Sequence, residues 1–280
     1  LSLLALAASA NAHMAIFTPG MFCLGGPNGN NANNQDIVYP LYQMTKSQWW
    51  FHAYNGCTNP PPDGQYMDLP AGGQYVGEIA NNQGFTTLSF GGKYAGDWPD
   101  GNQAPVDPGP GNCISQPLLH TENHTRAAGT ALAIADVENL DDVTPENLVV
   151  FSVAPETPWT REVTYDIPAD MPACTGKWCI CAWGWVPNHC GQPNMYMTGH
   201  RCRITGATST KKIGTAQAPK WCENDESECV TGPKQMIFFN QADGNNMEFP
   251  ANSFQADGQT KSPGYNMKCG FKSGAQNDIF

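Results

Sequence analysis

Apolar residues in this chain occur in short runs, each bounded by glycine, proline or asparagine. Such runs have the length of β-strands, and some of them partly alternate between apolar and polar positions. The 29 Gly and 23 Pro residues favour turns over long amphipathic helices. We therefore expect an all-β fold, a single β-sandwich with long loops. The runs interpreted as strands are 74–79, 85–90, 130–135, 148–153, 180–186 and 196–205.

The 11 cysteines of the chain are irregularly spaced from Cys23 to Cys269. Disulfides persist in oxidising compartments, whereas a cytosolic zinc protein is expected to carry paired CxxC units, which this sequence lacks. Cys179 and Cys181 are too close for that motif and are interpreted as two half-cystines on one strand. Because 11 is an odd number, we expect a disulfide-stapled, exported protein with one thiol left over. The sequence leaves the pairing open.

The first twelve residues resemble the end of a signal peptide. Leu1 to Ala8 form an apolar run, and Ala10-Asn11-Ala12 matches a small-x-small cleavage site. We interpret residues 1–12 as a signal-peptide remnant; an ordinary apolar first strand is the alternative. Cleavage after Ala12 leaves His13 as the first residue of a secreted, extracellular protein.

Residues 13–280 are expected to form one catalytic domain. The segment from Thr231 onward is rich in Gly, Asn and Gln, yet it contains Cys269 and the aromatic pair Phe238-Phe239. We therefore expect this loop-rich segment to pack along the core of the domain.

The charge of the chain excludes several classes of partner. The formal net charge is −11, and 14 residues are Lys or Arg. Nucleic acids require basic patches, and anionic membrane surfaces attract polybasic segments. No second apolar segment reaches the length of a membrane span. We expect a monomer that binds neither nucleic acid nor membrane.

An N-terminal histidine offers a metal two nitrogen donors from one residue. Its α-amine has a pKa of only about 7.7–8.0, so a metal displaces the proton readily. Its Nδ1 closes a six-membered chelate with the amine, which an internal histidine cannot do because its backbone nitrogen is an amide. A third nitrogen from another histidine completes a planar arrangement that suits Cu(II). A frayed terminal His13 with no role is the alternative.

Eight short stretches, taken in order along the chain, carry a resemblance to a known family. The stretches are His13-Met14-Ala15-Ile16-Phe17-Thr18-Pro19-Gly20-Met21, Trp49-Trp50-Phe51, Leu69-Pro70-Ala71, Ala127-Ala128-Gly129-Thr130-Ala131, Thr144-Pro145-Glu146-Asn147-Leu148-Val149-Val150, Cys179-Ile180-Cys181-Ala182-Trp183-Gly184-Trp185-Val186-Pro187, Pro193-Asn194-Met195-Tyr196-Met197 and Gly274-Ala275-Gln276-Asn277-Asp278-Ile279. They resemble fungal lytic polysaccharide monooxygenases, and together they resemble the xylan-active members, the fourteenth auxiliary-activity family. The resemblance covers essentially the whole of residues 13–280.

The resemblance implies an immunoglobulin-like sandwich that holds one copper ion in a histidine brace. It assigns His13 as the first ligand and Tyr196 as an axial ligand; a buried tyrosine with a satisfied hydroxyl is the alternative for Tyr196. The second histidine is His120 or His124. His120 is preferred because Leu-His-Thr-x-Asn matches the family pattern, and because a glycan on the sequon at Asn123 would crowd a metal on His124. In favour of His124, it lies closer to the following strand.

The remaining histidines are interpreted as structural or surface residues. His52 follows an aromatic run and is expected at the edge of the core. His189 and His200 are expected in turns flanked by cysteines.

The implied activity is oxidative cleavage of xylan, in particular xylan coating cellulose, with O₂ or H₂O₂ as co-substrate and an external electron donor. A hydrolase would instead need two facing carboxylates, and no acidic pair stands out by spacing. The alternatives are a non-catalytic copper-binding or delivery protein, a carbohydrate-binding or structural wall protein, and an oxidase of cellulose or chitin.

Overall fold

The computed structural model describes residues 13–103, 112–114, 116–191 and 193–280, so the predicted signal-peptide remnant lies outside the described residues. The strands are β1 (Ala15–Phe17), β2 (Met67–Pro70), β3 (Gln74–Ala80), β4 (Thr130–Ala135), β5 (Val149–Ala154), β6 (Glu162–Asp166), β7 (Cys179–Trp185), β8 (Tyr196–Thr205) and β9 (Gly274–Ala275). One short α-helix, α1, spans Lys46–Trp49. The 3₁₀ turns are Asp36–Val38, Trp50–Asn55, Gln83–Phe85, Phe90–Gly92, His124–Arg126, Leu140–Asp142, Glu226–Glu228 and Met267–Cys269.

The strands form two sheets. The smaller sheet has the antiparallel order β1-β3-β6, and the larger has the order β2-β8-β7-β4-β5-β9. Within the larger sheet only β2 runs parallel to its neighbour, β8. The predicted all-β sandwich is confirmed.

Side chains from both sheets meet in one apolar core. Ile16 and Tyr165 from the smaller sheet pack in the same buried cluster as Leu132 and Trp183 from the larger one. A hydrogen bond also joins the sheets, since the Trp183 indole donates to the Tyr165 hydroxyl at 2.9 Å. Burial of each such side chain contributes about 1.5–3 kcal/mol.

The opposite face of the larger sheet is buried as well. Ala131, Ala133 and Ala135 of β4 face a second cluster that contains α1 and the C-terminal segment, including Phe238 and Tyr265. This explains why β4 is buried at every position: its odd and even residues face two different cores. The expectation that the segment after Thr231 packs along the core is confirmed.

The prediction of a strand at 85–90 is wrong. In this run, side chains rather than a neighbouring strand bind the backbone N–H and C=O groups. The Thr86 hydroxyl donates to the Gln83 carbonyl at 2.7 Å and accepts from the Leu88 amide at 3.3 Å. The Glu78 carboxylate binds the Thr87 amide at 3.1 Å. Such local bonds favour turns over sheet pairing. The patterns also fail to predict β1, β2, β6 and β9, which are short.

Five disulfides staple the fold. Cys179 and Cys181 are both half-cystines on β7, as the sequence predicted, and they belong to different bridges. Cys269 is the leftover thiol and is buried. The pairs are Cys23–Cys57, Cys113–Cys190, Cys174–Cys179, Cys181–Cys202 and Cys222–Cys229. In the described part of the chain, no helix is long and apolar enough to cross a membrane.

Candidate metal centre

Tyr196 is the first residue of β8 and lies directly opposite Trp185, the last residue of β7. The two rings are stacked, with centroids 4.6 Å apart and planes 22° apart. Tyr196 is 2% exposed, and burial raises the pKa of its phenol. The hydroxyl is therefore protonated at neutral pH.

His120 lies beside this pair of rings. Its imidazole contacts Trp185 edge-on, with centroids 5.5 Å apart, and its Nε2 is 3.4 Å from the Tyr196 hydroxyl. Its Nδ1 is 2.7 Å from the Cys190 carbonyl oxygen. Because a carbonyl oxygen can only accept, Nδ1 carries the proton and the Nε2 lone pair points toward Tyr196. Metal-binding histidines are usually oriented in this way, by donating the other ring N–H to a carbonyl or carboxylate.

His13 precedes β1 and is half-buried. Its ring lies edge-on to the ring of Tyr39, with centroids 4.6 Å apart. Leu41 lies two residues after Tyr39 and pairs with Met195, the residue before Tyr196. The pairing consists of two backbone hydrogen bonds of 2.8 and 3.1 Å. Since two residues span at most about 7 Å, the segment 39–41 brings the His13 environment close to the start of β8.

His124 lies in a different environment. Its ring stacks on Trp159 at 4.8 Å, and its Nε2 is 3.9 Å from a Glu156 carboxylate oxygen. About half of the side chain is exposed (51%). The neighbouring Asn123 is exposed, with its amide oxygen bound by the Thr125 hydroxyl at 2.9 Å. Of the two candidate second ligands, His120 is therefore the one that contacts Tyr196.

The other three histidines have structural surroundings. His52 and His200 are fully buried, and burial lowers the pKa of each to about 3. His200 bonds Thr18 and Thr198 through its two ring nitrogens, both at 3.0 Å. It lies within β8, so its expected place in a turn is wrong, and His52 lies inside the core rather than at its edge. His189 does lie in a turn, and burial lowers the pKa of its half-buried ring.

One further cluster of potential ligands exists among the described residues. Asp136, Cys174 and Cys179 bring their ligand atoms within 4.8 Å of one another. However, Cys174 and Cys179 are bonded to each other, so their sulfurs are not available as thiolates.

The donor set around Tyr196 fits a copper ion better. It consists of an imidazole with a fixed tautomer, a neutral phenol and a second, half-buried imidazole nearby; imidazole nitrogens suit copper. Sequence reasoning missed the Cys190 carbonyl, the Trp185 ring and Tyr39 as parts of this arrangement. Trp185 lies in one of the stretches that carry the family resemblance, so the sequence did offer a signal for it. The Cys190 carbonyl left no such signal, because every residue type carries a backbone carbonyl.

Comparison with known proteins points to one family. The family model described as lytic polysaccharide monooxygenase AA14 matches residues 1–280. An AA14 family lytic polysaccharide monooxygenase A from Trametes coccinea is 32% identical over 99% of this chain and 63% of its own length. The B protein of Pycnoporus cinnabarinus is 35% identical over 89% of this chain and 64% of its own length. The B protein of Talaromyces rugulosus is also 35% identical, over 97% of this chain and 94% of its own length. The chain thus spans less than two thirds of the first two relatives. It belongs to the AA14 family of lytic polysaccharide monooxygenases.

Proposed function

We propose that this chain is a secreted, copper-dependent monooxygenase that cleaves glycosidic bonds in xylan, in particular xylan coating cellulose. One copper ion is held by His13, His120 and Tyr196. The observation that carries the proposal is the geometry of His120: Nδ1 donates to the Cys190 carbonyl at 2.7 Å, and Nε2 faces the Tyr196 hydroxyl at 3.4 Å.

Family membership supports the class of reaction, since the relatives are named lytic polysaccharide monooxygenases. Xylan is supported by the resemblance of the sequence to the xylan-active members. Secretion is supported by the disulfides, which persist in oxidising compartments. A copper ion bound here would supply the redox chemistry by which O₂ or H₂O₂, with an external electron donor, oxidises a C–H bond beside the glycosidic link.

The residues of the chain have distinct parts in this proposal. His13 contributes its imidazole and, after cleavage following Ala12, a primary amine. His120 contributes Nε2, because Nδ1 is used by the Cys190 carbonyl. Tyr196 would contribute a protonated phenol, which is a weak donor to a metal ion. Because His13 is half-buried and Tyr39 is 37% exposed, the site opens at the surface, where an insoluble polymer has access.

Electron paramagnetic resonance tests the copper site. The protein starting at His13, loaded with one equivalent of Cu(II), is expected to show an axial signal from three nitrogen ligands. A form with one additional residue before His13 has an amide in place of the amine, so it is expected to lose this signal. Identical spectra from the two forms would contradict the brace.

Product analysis tests the substrate. Mass spectrometry of material released from xylan-coated cellulose should detect oxidised xylo-oligosaccharides only when a reductant is present. Cellulose alone and chitin serve as comparisons. Tight copper binding without oxidised products from any of them would favour the second candidate, a non-catalytic copper-binding protein with the same ligands.

A further inference from the structure

The turn that carries the Cys190 carbonyl has an unusual backbone. The φ angles of His189, Cys190 and Gly191 are +64°, +60° and +134°. Non-glycine residues with positive φ are uncommon and persist only when surrounding contacts hold them. A Cβ atom on Gly191 would lie 3.0 Å from Nδ1 of His120, so the turn packs directly against that imidazole. The orientation of His120 therefore depends on whatever holds this turn.

Contacts from three parts of the chain hold the turn. Cys190 is bonded to Cys113. The Asn188 amide donates to the Arg126 carbonyl at 2.9 Å. The Ser262 hydroxyl donates to the Pro187 carbonyl at 2.7 Å, which ties the turn to the C-terminal segment.

Gln255 supplies a fourth contact from the C-terminal segment, and it is 4% exposed. Its Oε1 accepts a hydrogen bond from the Lys268 ammonium at 3.1 Å. Since an ammonium group can only donate, this bond fixes the orientation of the amide. Its Nε2 then donates to Nε2 of His189 and to the Asp257 carboxylate, both at 3.1 Å. Every polar atom of the buried amide is used.

We propose that Gln255 is a positioning residue for His120, an inference that rests on the proposed copper site. Gln255 fixes the ring of His189, and His189 fixes the peptide that presents the adjacent Cys190 carbonyl to Nδ1 of His120. Lys268 and Gln255, far from the histidine brace in sequence, thereby hold the second copper ligand in its binding orientation.

The test is Gln255→Met, which keeps the length and burial of the side chain but removes both of its polar functions. Substitution of the groups that orient metal ligands typically weakens metal affinity or activity 10–100-fold, and we expect about tenfold weaker Cu(II) binding here by calorimetry. The copper resonance spectrum should change as well, because the imidazole is less firmly oriented. A loss of stability alone would leave the spectrum of the folded protein unchanged.

The matched control is Gln276→Met. Gln276 is equally buried, at 3% exposed, and its Nε2 donates to two carbonyls, those of Lys272 and Gly274. It lies beside β9, four strands from β8, or about 19 Å across the sheet. This variant is expected to lose stability while keeping wild-type copper affinity and spectrum.

His189→Asn removes the ring that accepts this bond, and asparagine tolerates the positive φ of +64° at this position. If Gln255 acts through His189, then Gln255→Met, His189→Asn and the double variant bind copper with equal affinity; losses that add in the double variant would overturn the proposal. Wild-type copper binding by Gln255→Met, or by His189→Asn should the first variant not fold, would overturn it too. Failure of the wild-type protein to bind copper would instead refute the proposed function.

Discussion

At the scale of single residues, the chemistry of the site is set by hydrogen bonds that assign protons. His120 is a potential ligand through Nε2 because its Nδ1–H donates a hydrogen bond to the Cys190 carbonyl. His200 has the opposite character: both of its nitrogens are used by threonine hydroxyls inside the core. Both residues are histidines, and they differ only in the groups that surround the imidazole.

Substitution of the two candidate ligands separates them. We expect His120→Ala to weaken Cu(II) binding by several orders of magnitude, because it removes a nitrogen ligand. His124→Ala removes a ring that stacks on Trp159 at the surface, so copper affinity should change less than about threefold. Calorimetric titration of both variants measures this, and the reverse ranking would move the ligand to His124.

Buried histidines make the stability of the fold sensitive to acid. The folded pKa of His52 and of His200 is about 3, against 6.5 in the unfolded chain. The unfolded state therefore binds more protons between these values, and the free energy of unfolding falls as the pH decreases from 6.5 toward 3. Well below pH 6.5, each histidine contributes a slope of roughly 1.4 kcal/mol per pH unit.

His52→Asn tests this dependence. Asparagine tolerates the positive φ of +57° at this position and does not titrate. Urea unfolding between pH 6.5 and 5 should show a slope smaller by about one bound proton than in the wild-type protein. An unchanged slope would mean that folding does not shift the pKa of the His52 ring.

At the scale of elements, β7 and β8 determine the geometry of the site. Their register places Trp185 opposite Tyr196, and such cross-strand pairs contribute roughly 0.2–1 kcal/mol. On the other face of β7, Gly184 lets Tyr265 from the C-terminal segment approach the sheet: a Cβ atom there would lie 2.6 Å from the Tyr265 hydroxyl. One strand thus contributes to the proposed copper site on one face and to the second core on the other.

Gly184→Ala is expected to destabilise the protein by about 1–3 kcal/mol, because overpacking forces neighbouring side chains apart. Tyr265→Phe removes the hydroxyl that the new methyl group would meet. In a double-mutant cycle followed by thermal unfolding, the loss in the double variant should therefore be smaller than the sum of the single losses. Strictly additive losses would show that the clash lies elsewhere, for example with Met236.

At the scale of the whole molecule, the C-terminal segment is a layer of the fold. Its side chains Met236, Phe238, Tyr265 and Phe271 cover the face of the larger sheet that the smaller sheet leaves free. The same segment supplies Gln255 and Ser262 to the turn beside His120. Stability of the sandwich and order at the proposed copper site therefore depend on one segment.

A chain that ends after Val230 tests this dependence. Without the C-terminal layer, the alanine-rich face of β4 is exposed to water, so we expect loss of a cooperative thermal transition and binding of a hydrophobic dye. Circular dichroism and dye fluorescence measure the two effects. A truncated chain with a melting temperature within a few degrees of the wild type would show that the segment is dispensable.

The sequence alone determined the class of fold, the longest strands and the chemistry of the candidate ligands. These are properties of short segments: a strand as long as β8 or as apolar as β4 is specified by its own residues, and His13, His120 and Tyr196 are recognisable by type and by the stretches around them. The sequence left His120 and His124 as alternatives for the second ligand, with His120 preferred.

Only the tertiary structure decided which of these side chains meet. His120 and Tyr196 are 76 residues apart in sequence, and Cys190 is 70 residues from His120. Their contact depends on strand register, on the disulfide pairing and on a backbone carbonyl that every residue type carries. Interactions between distant segments are decided by packing of the complete chain, and local sequence patterns do not encode them. For the same reason the run 85–90, strand-like by itself, lies in turns whose backbone is bound by the distant Glu78 side chain.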